Sequence, residues 1–296
     1  MYKINHNKKL NILEVSNSDT SVYGKIQLDQ GASLQELILD SHKIIQDLNP
    51  LPYSNTYASS ILFPFANRIK DGKYEFNGKT YQFKKNQAEE QNALHGLVFD
   101  KTFDVIHKET TKDKASVTLE YVEKNNSIGF PYTYTIRLEY VFKQTGVDVK
   151  VSIENTDTKV FPFTLGWHPY FTSANLFDSY MNFESSEKIT LGPRNITTGT
   201  TLNKNNNPLQ IKDSFFDDCW ILNSDSMMFK TPKYNLKFNS TGGNNFLQLY
   251  TPPRKNTIAI EPTTGVSDSF NNKIGLETLQ PNETYNITWS LKINNN

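Results

Sequence analysis

Tyr132-Thr133-Tyr134-Thr135-Ile136-Arg137-Leu138-Glu139-Tyr140-Val141-Phe142 decides the fold. Every even position is apolar or aromatic, and every odd one except Val141 is polar. An extended backbone turns successive side chains to opposite faces, so this segment reads as a strand with one buried and one wet face. Lys143-Gln144-Thr145-Gly146 then turns the chain, with Gly146 free to take a positive φ. On the return the parity reverses: Val147, Val149, Val151 and Ile153 point inward, while Asp148, Lys150, Ser152 and Glu154 point outward. Upstream, Val117, Leu119 and Tyr121 alternate with Thr118 and Glu120. The three segments make an antiparallel meander.

The same texture extends in both directions. Lys73-Tyr74-Glu75-Phe76 and Lys79-Thr80-Tyr81-Gln82-Phe83 flank Asn77-Gly78, the pair that suits a type I′ hairpin turn. Leu247-Gln248-Leu249-Tyr250, Ile258-Ala259-Ile260 and Ile287-Thr288-Trp289-Ser290-Leu291 are further strand candidates. No amphipathic helix longer than three turns emerges, and segments 194–208 and 239–245, rich in Asn, Thr, Gly and Pro, read as loops. With no fixed-period repeat and no break in composition, the expectation is an all-β chain, residues 1–296 forming one large antiparallel β-sandwich domain.

The chain has 296 residues, with 31 Lys+Arg against 31 Asp+Glu and 36% hydrophobic residues. That composition supports a large core, and the zero net charge removes the electrostatic reason to expect nucleic acid as a partner. Cys219 is the only cysteine, which excludes an internal disulfide and a cysteine zinc site. No signal-like amino terminus and no run of ~20 apolar residues is present, so no membrane association and a cytoplasmic location are expected. Gly-x-Gly-x-x-Gly, a phosphate loop and His-Glu-x-x-His are all missing. His6, His42 and His107 sit in polar, loop-like surroundings without His-x-His spacing, and neither a metal nor a cofactor is expected.

Two histidines differ. His168 lies in Phe163-Thr164-Leu165-Gly166-Trp167-His168-Pro169-Tyr170-Phe171, held extended by the following proline and walled by aromatic rings. Such an imidazole suits acid–base work, although a satisfied core histidine reads equally well. His95, in Leu94-His95-Gly96, stands where Gly96 lets the backbone bend the ring toward a cavity, or simply within a tight turn. Glu261 ends the apolar strand Ile258-Ala259-Ile260, with Pro262 breaking the ladder; partial burial there would raise its pKa and strengthen it as a base, the alternative being a surface ion pair. Asn67-Arg68 emerges from the apolar run Ile61-Leu62-Phe63-Pro64-Phe65-Ala66. Asp217 and Asp218 follow Phe215-Phe216. A base, two imidazoles, an arginine, an acid and many aromatics fit proton transfer on a polyhydroxylated molecule.

These motifs resemble the aldose 1-epimerase (galactose mutarotase) family: Phe65-Ala66-Asn67-Arg68-Ile69 with the Asn77-Gly78 hairpin behind it, Leu94-His95-Gly96, Gly129-Phe130-Pro131, Trp167-His168-Pro169-Tyr170-Phe171, Phe216-Asp217-Asp218 and Ile260-Glu261-Pro262, in the family's order. The resemblance implies a large antiparallel β-supersandwich with Glu261 as general base, His168 as general acid and His95 assisting at the ring oxygen. It further implies Arg68, Asn67, Asp217, Trp167 and Tyr170 as contacts to a monosaccharide, in a monomer or homodimer. A carboxylate on one side and an imidazolium on the other would open a cyclic hemiacetal, and rotation about C1–C2 would close it as the other anomer. Two alternatives stand beside this. One is a hexose-6-phosphate 1-epimerase, which needs a basic clamp for the dianion with Arg68, Arg194 and Arg254 as candidates. The other is a sugar-binding or sensing protein without turnover.

Overall fold

The computed structural model describes residues 1–125 and 127–295. Among them the chain forms a 13-stranded and a nine-stranded antiparallel sheet, with three separate two-stranded ladders. The meander is present: Lys114–Glu123, Tyr134–Lys143 and Gly146–Asn155 pair in sequence, and the inward even and odd residues are buried as their parity requires. Its second turn differs from expectation, because Gln144, Thr145 and Gly146 all lack a positive φ. Gly146 is needed for a close approach instead, since a Cβ there would lie 2.6 Å from the Leu291 carbonyl oxygen. Asn77 and Gly78, at φ 51° and 70°, do adopt the left-handed pair of the type I′ turn.

The meander belongs to the nine-stranded sheet, where the strand Thr284–Asn295 joins Gly146–Asn155 to Tyr234–Ser240. The larger sheet carries the amino-terminal strands at one edge and runs through Tyr170–Thr172, Thr257–Thr263, Phe246–Tyr250 and Asp217–Ile221. Alternate residues of the two sheets meet in one core: Trp167 stacks on Trp289 with ring centroids 6.4 Å apart, and Phe171 stands edge-on to Phe238 at 5.1 Å. Burial of such rings removes apolar surface from water at ~25 cal/mol per Å² and holds the layers together.

Three expectations need correction. Segment 194–208 contains the strand Thr197–Leu202, in which β-branched threonines favour an extended edge despite their polarity. His6, His42 and His107 lie in strands, not loops. Glu261 does not end its strand: Thr257–Thr263 continues through Pro262, with Glu261 opposite Gln248 and Pro262 opposite Leu247. No helix among the described residues is long and apolar enough to cross a membrane.

Candidate active site

The larger sheet arranges its polar residues in rows. Gly166 pairs with Thr263 and Tyr170 with Ala259, so the register between them sets His168 directly opposite Glu261. Glu261 in turn faces Gln248, and Gln248 faces Cys219. The neighbouring row runs Tyr170, Ala259, Tyr250, Asp217. Because facing residues share a face, both rows point away from the inter-sheet core.

His168 donates its N–H to the Ser60 carbonyl at 3.0 Å and accepts from the Ser59 N–H at 2.8 Å. It therefore turns no backbone group toward Glu261, and the two residues form the kind of cross-strand pair in which side chains come closest. His168 Nε2 lies 3.4 Å from Glu261 Oε1. Pro169 and Pro262 occupy the two adjoining rungs and supply no N–H there, so the ladder is thinned on either side of the pair. Pro262 leaves the pairing with Phe246–Tyr250 intact because its nitrogen is directed the other way.

The cavity over these rows has a volume of about 150 Å³ and is lined by His168, Glu261, His95, Asn67, Arg68 and Asp217, with Gln248, Tyr57, Tyr170 and Tyr250 among the other walls. His95 arrives from a segment locked by its own N–H to the Asn67 carbonyl at 2.8 Å. It has φ 60° and Gly96 φ 76°, and a Cβ on Gly96 would sit 2.2 Å from the Phe63 carbonyl oxygen. The His95 ring stands edge-on to His168 at 5.0 Å and to Tyr57 at 4.8 Å.

Arg68 is held on three sides. Its Nε donates to Glu90 at 2.8 Å, Nη1 to Asn67 Oδ1 at 3.2 Å, and Nη2 lies 3.7 Å from Asp217. Asn67 donates to Gln248 Oε1 at 3.3 Å, and Gln248 donates to Asp217 Oδ1 at 2.8 Å. The network closes on itself and ties guanidinium, amides and carboxylate together along the cavity wall.

Burial dominates the electrostatics. Glu261, 2% exposed, has its pKa pushed well above the ordinary carboxyl range by burial and then by the Asp217 carboxylate, against the opposing charge of Arg68. His168, 4% exposed, is pushed down to about 4 by burial. His95 is lowered by burial, then by His168 and Arg68. Burial also raises Asp217, with Arg68 opposing it. Glu261 Oε2 and His95 Nδ1 are buried without a hydrogen-bond partner, and His168 Nδ1 bonds to no other residue. These groups can exchange protons with one another and with a hydroxylated guest.

Seven of the eight residues singled out in the sequence line this one cavity: Glu261, His168, His95, Asn67, Arg68, Asp217 and Tyr170. Trp167 does not. It is fully buried on the opposite face of its strand, stacked on Trp289, because side chains alternate and His168 takes the cavity side. Asp218, likewise on the other parity from Asp217, pairs with Lys188 at 2.6 Å. Of the three arginines considered for a phosphate, only Arg68 lines the cavity. Arg194 is committed to Asp71, Glu90 and Asn92, while Arg254 donates to the Asn49 carbonyl. Sequence reasoning missed Gln248, whose signal was a lone amide within an apolar strand. It also missed Glu90, Tyr57 and Tyr250, which only the tertiary fold brings near.

A family model described as aldose 1-epimerase matches residues 25–292. Among curated proteins, YihR of Escherichia coli (strain K12) is 23% identical over 279 residues, covering 88% of this chain and 87% of that protein. A galactose mutarotase-like protein from Clostridium acetobutylicum superposes with a TM-score of 0.89 at 20% identity, covering 100% of this chain and 99% of the other. Galactose 1-epimerase from Lactobacillus acidophilus NCFM gives 0.80 at 18% identity, covering 100% and 98%.

Proposed function

Starting from a chain that belongs to the aldose 1-epimerase family, we propose that it interconverts the α and β anomers of an unphosphorylated aldohexose. One distance carries the reading: the 3.4 Å between His168 Nε2 and Glu261 Oε1 inside a polar cavity. Ring opening must take a proton from the C1 hydroxyl and give one to the ring oxygen. Both oxygens are bonded to C1, so acid and base belong side by side, which is how this pair stands.

Burial favours the neutral forms, a protonated Glu261 and an uncharged His168. The pair still holds one proton between its members. Its transfer from Glu261 to His168 creates the carboxylate base and imidazolium acid without exchange with solvent, and Arg68 favours the ionised carboxylate. Glu261 then removes the C1 hydroxyl proton while His168 protonates the ring oxygen; the C1–C2 bond rotates and the roles reverse on closure. His95 Nδ1 lacks a partner and assists at the ring oxygen. Asn67, Arg68, Asp217 and Tyr170 hold the remaining hydroxyls and the ring face. The cavity wall offers no cluster of basic side chains among its described residues, which favours a neutral sugar over a phosphorylated one.

The test is polarimetry on freshly dissolved α-glucose and α-galactose. Acceleration that falls ~10²-fold or more in Glu261→Gln supports the assignment. Loss of only a few-fold removes Glu261 as the base, and sugar binding by calorimetry without acceleration points to a sensor.

A further inference from the structure

Not every polar group of the cavity belongs to the acid–base pair or to the Arg68 network. Gln87 lines the cavity, and its Oε1 is buried with no hydrogen-bond partner. A buried acceptor without a donor is destabilising, so its persistence needs a reason. The segment carrying it cannot easily relax. Residues 86–94 form a strap whose ends are tied by Asn86, which accepts from the Leu94 N–H at 2.7 Å and donates to the Leu94 carbonyl at 3.0 Å. The Gln87 N–H donates to the Asn92 carbonyl at 3.2 Å.

A distant element pins the tip of the strap. Arg194 Nε donates to the Glu90 carbonyl at 2.6 Å and Nη2 to Asn92 Oδ1 at 2.6 Å, while Asn195 Nδ2 donates to the Glu90 carboxylate at 2.9 Å. Glu90 also holds Arg68. The strap is thus fixed relative to the reacting pair, and Gln87 presents a stationary acceptor to whatever enters.

We infer that Gln87 is a specificity-determining residue whose side-chain oxygen accepts a hydrogen bond from one sugar hydroxyl; this rests on the reading above. The substrates it admits are aldoses with a free hydroxyl at the ring position facing the strap, and sugars deoxygenated or O-alkylated there are disfavoured. A site built around a buried hydrogen-bonding group discriminates against the analogue that leaves it unpaired.

The experiment crosses the near-isosteric, apolar variant Gln87→Met, together with Gln87→Ala, against D-galactose, D-glucose and each of their singly deoxygenated analogues. Both anomerisation rate and calorimetric affinity are read. The expected result is about a tenfold fall in kcat/KM or affinity for the parent sugar, a deficit that disappears for one deoxy analogue and persists for the others. A uniform deficit across the series, or no deficit, overturns the assignment. Should the wild-type protein bind these sugars without accelerating any, the catalytic reading fails, and the affinity series alone still decides the role of Gln87.

Discussion

His168 and Glu261 face each other across adjoining strands of one sheet, 3.4 Å apart at their nearest polar atoms, in a rung flanked on both sides by prolines. Both are almost fully buried, and burial pushes each toward its uncharged form. Most of the expected chemistry and much of the expected stability behaviour follow from that pair.

Removing either member should stop turnover without unfolding the protein. Glu261→Gln and His168→Asn are each expected to lower the anomerisation rate by ~10²–10⁴-fold, measured by polarimetry or by NMR exchange between anomeric signals. Near-wild-type rates in either variant would exclude that residue from the reaction.

The same residues should tax stability in opposite pH ranges. The folded-state pKa of Glu261 is raised above 4.5, so as pH climbs past that value the unfolded chain ionises first and stability falls. His168 is lowered from 6.5 to about 4, so as pH drops between those values the unfolded chain gains a proton first and stability again falls. Glu261→Gln should therefore raise Tm above wild type, by roughly 2–4 °C for each ~1 kcal/mol released. The gap should widen from about pH 5 to pH 8, and His168→Asn should flatten the acid side. Parallel melting profiles for all three proteins would contradict the burial argument.

Arg68 opposes the rise in both the Glu261 and Asp217 pKa values. Arg68→Ala should push both higher and, because the pair works with one shared proton that Glu261 loses on the alkaline side, move the alkaline limb of the kcat/KM profile upward, with weaker sugar binding besides. An unmoved limb would mean that the guanidinium only shapes the cavity.

Trp167 belongs to the inter-sheet core. Trp167→Phe is expected to cost ~1–3 kcal/mol in urea denaturation while KM stays within about twofold of wild type. A large KM change with intact stability would return the indole to the sugar site.

Gly96→Ala places a methyl group against the Phe63 carbonyl at a backbone conformation that alanine disfavours. A loss of ~2 kcal/mol or more is expected, together with displacement of His95 and a fall in rate, read by thermal melts alongside polarimetry.

Much of this was legible before any coordinates. The meander could be read because period-two burial is written directly into residues 132–153, and the Asn77-Gly78 hairpin because two consecutive left-handed residues demand that chemistry. The cavity set was readable where residue type and local context coincide, as at His168 and Glu261. Parity was the signal left unused: with His168 on the cavity side, Trp167 had to face the core, and Asp217 and Asp218 had to diverge. Pro262 misled because a proline stops a ladder only when its nitrogen faces the partner, which local sequence does not reveal. Gln248 and the grip of Arg194 on the Glu90 segment depend on contacts between residues about 100 positions apart or more, and short-range patterns carry no trace of them.

The rows of the larger sheet have a practical corollary for anyone wishing to retune this protein. His168, Glu261 and Gln248 share one row across neighbouring strands, so their spacing is inherited whole whenever the strands zip together and is lost whole if they slip by one residue. The candidate site is in that sense prefabricated, and the surrounding connections are the interchangeable fittings. Libraries aimed at new sugars belong in those fittings, with the zipped rungs left untouched.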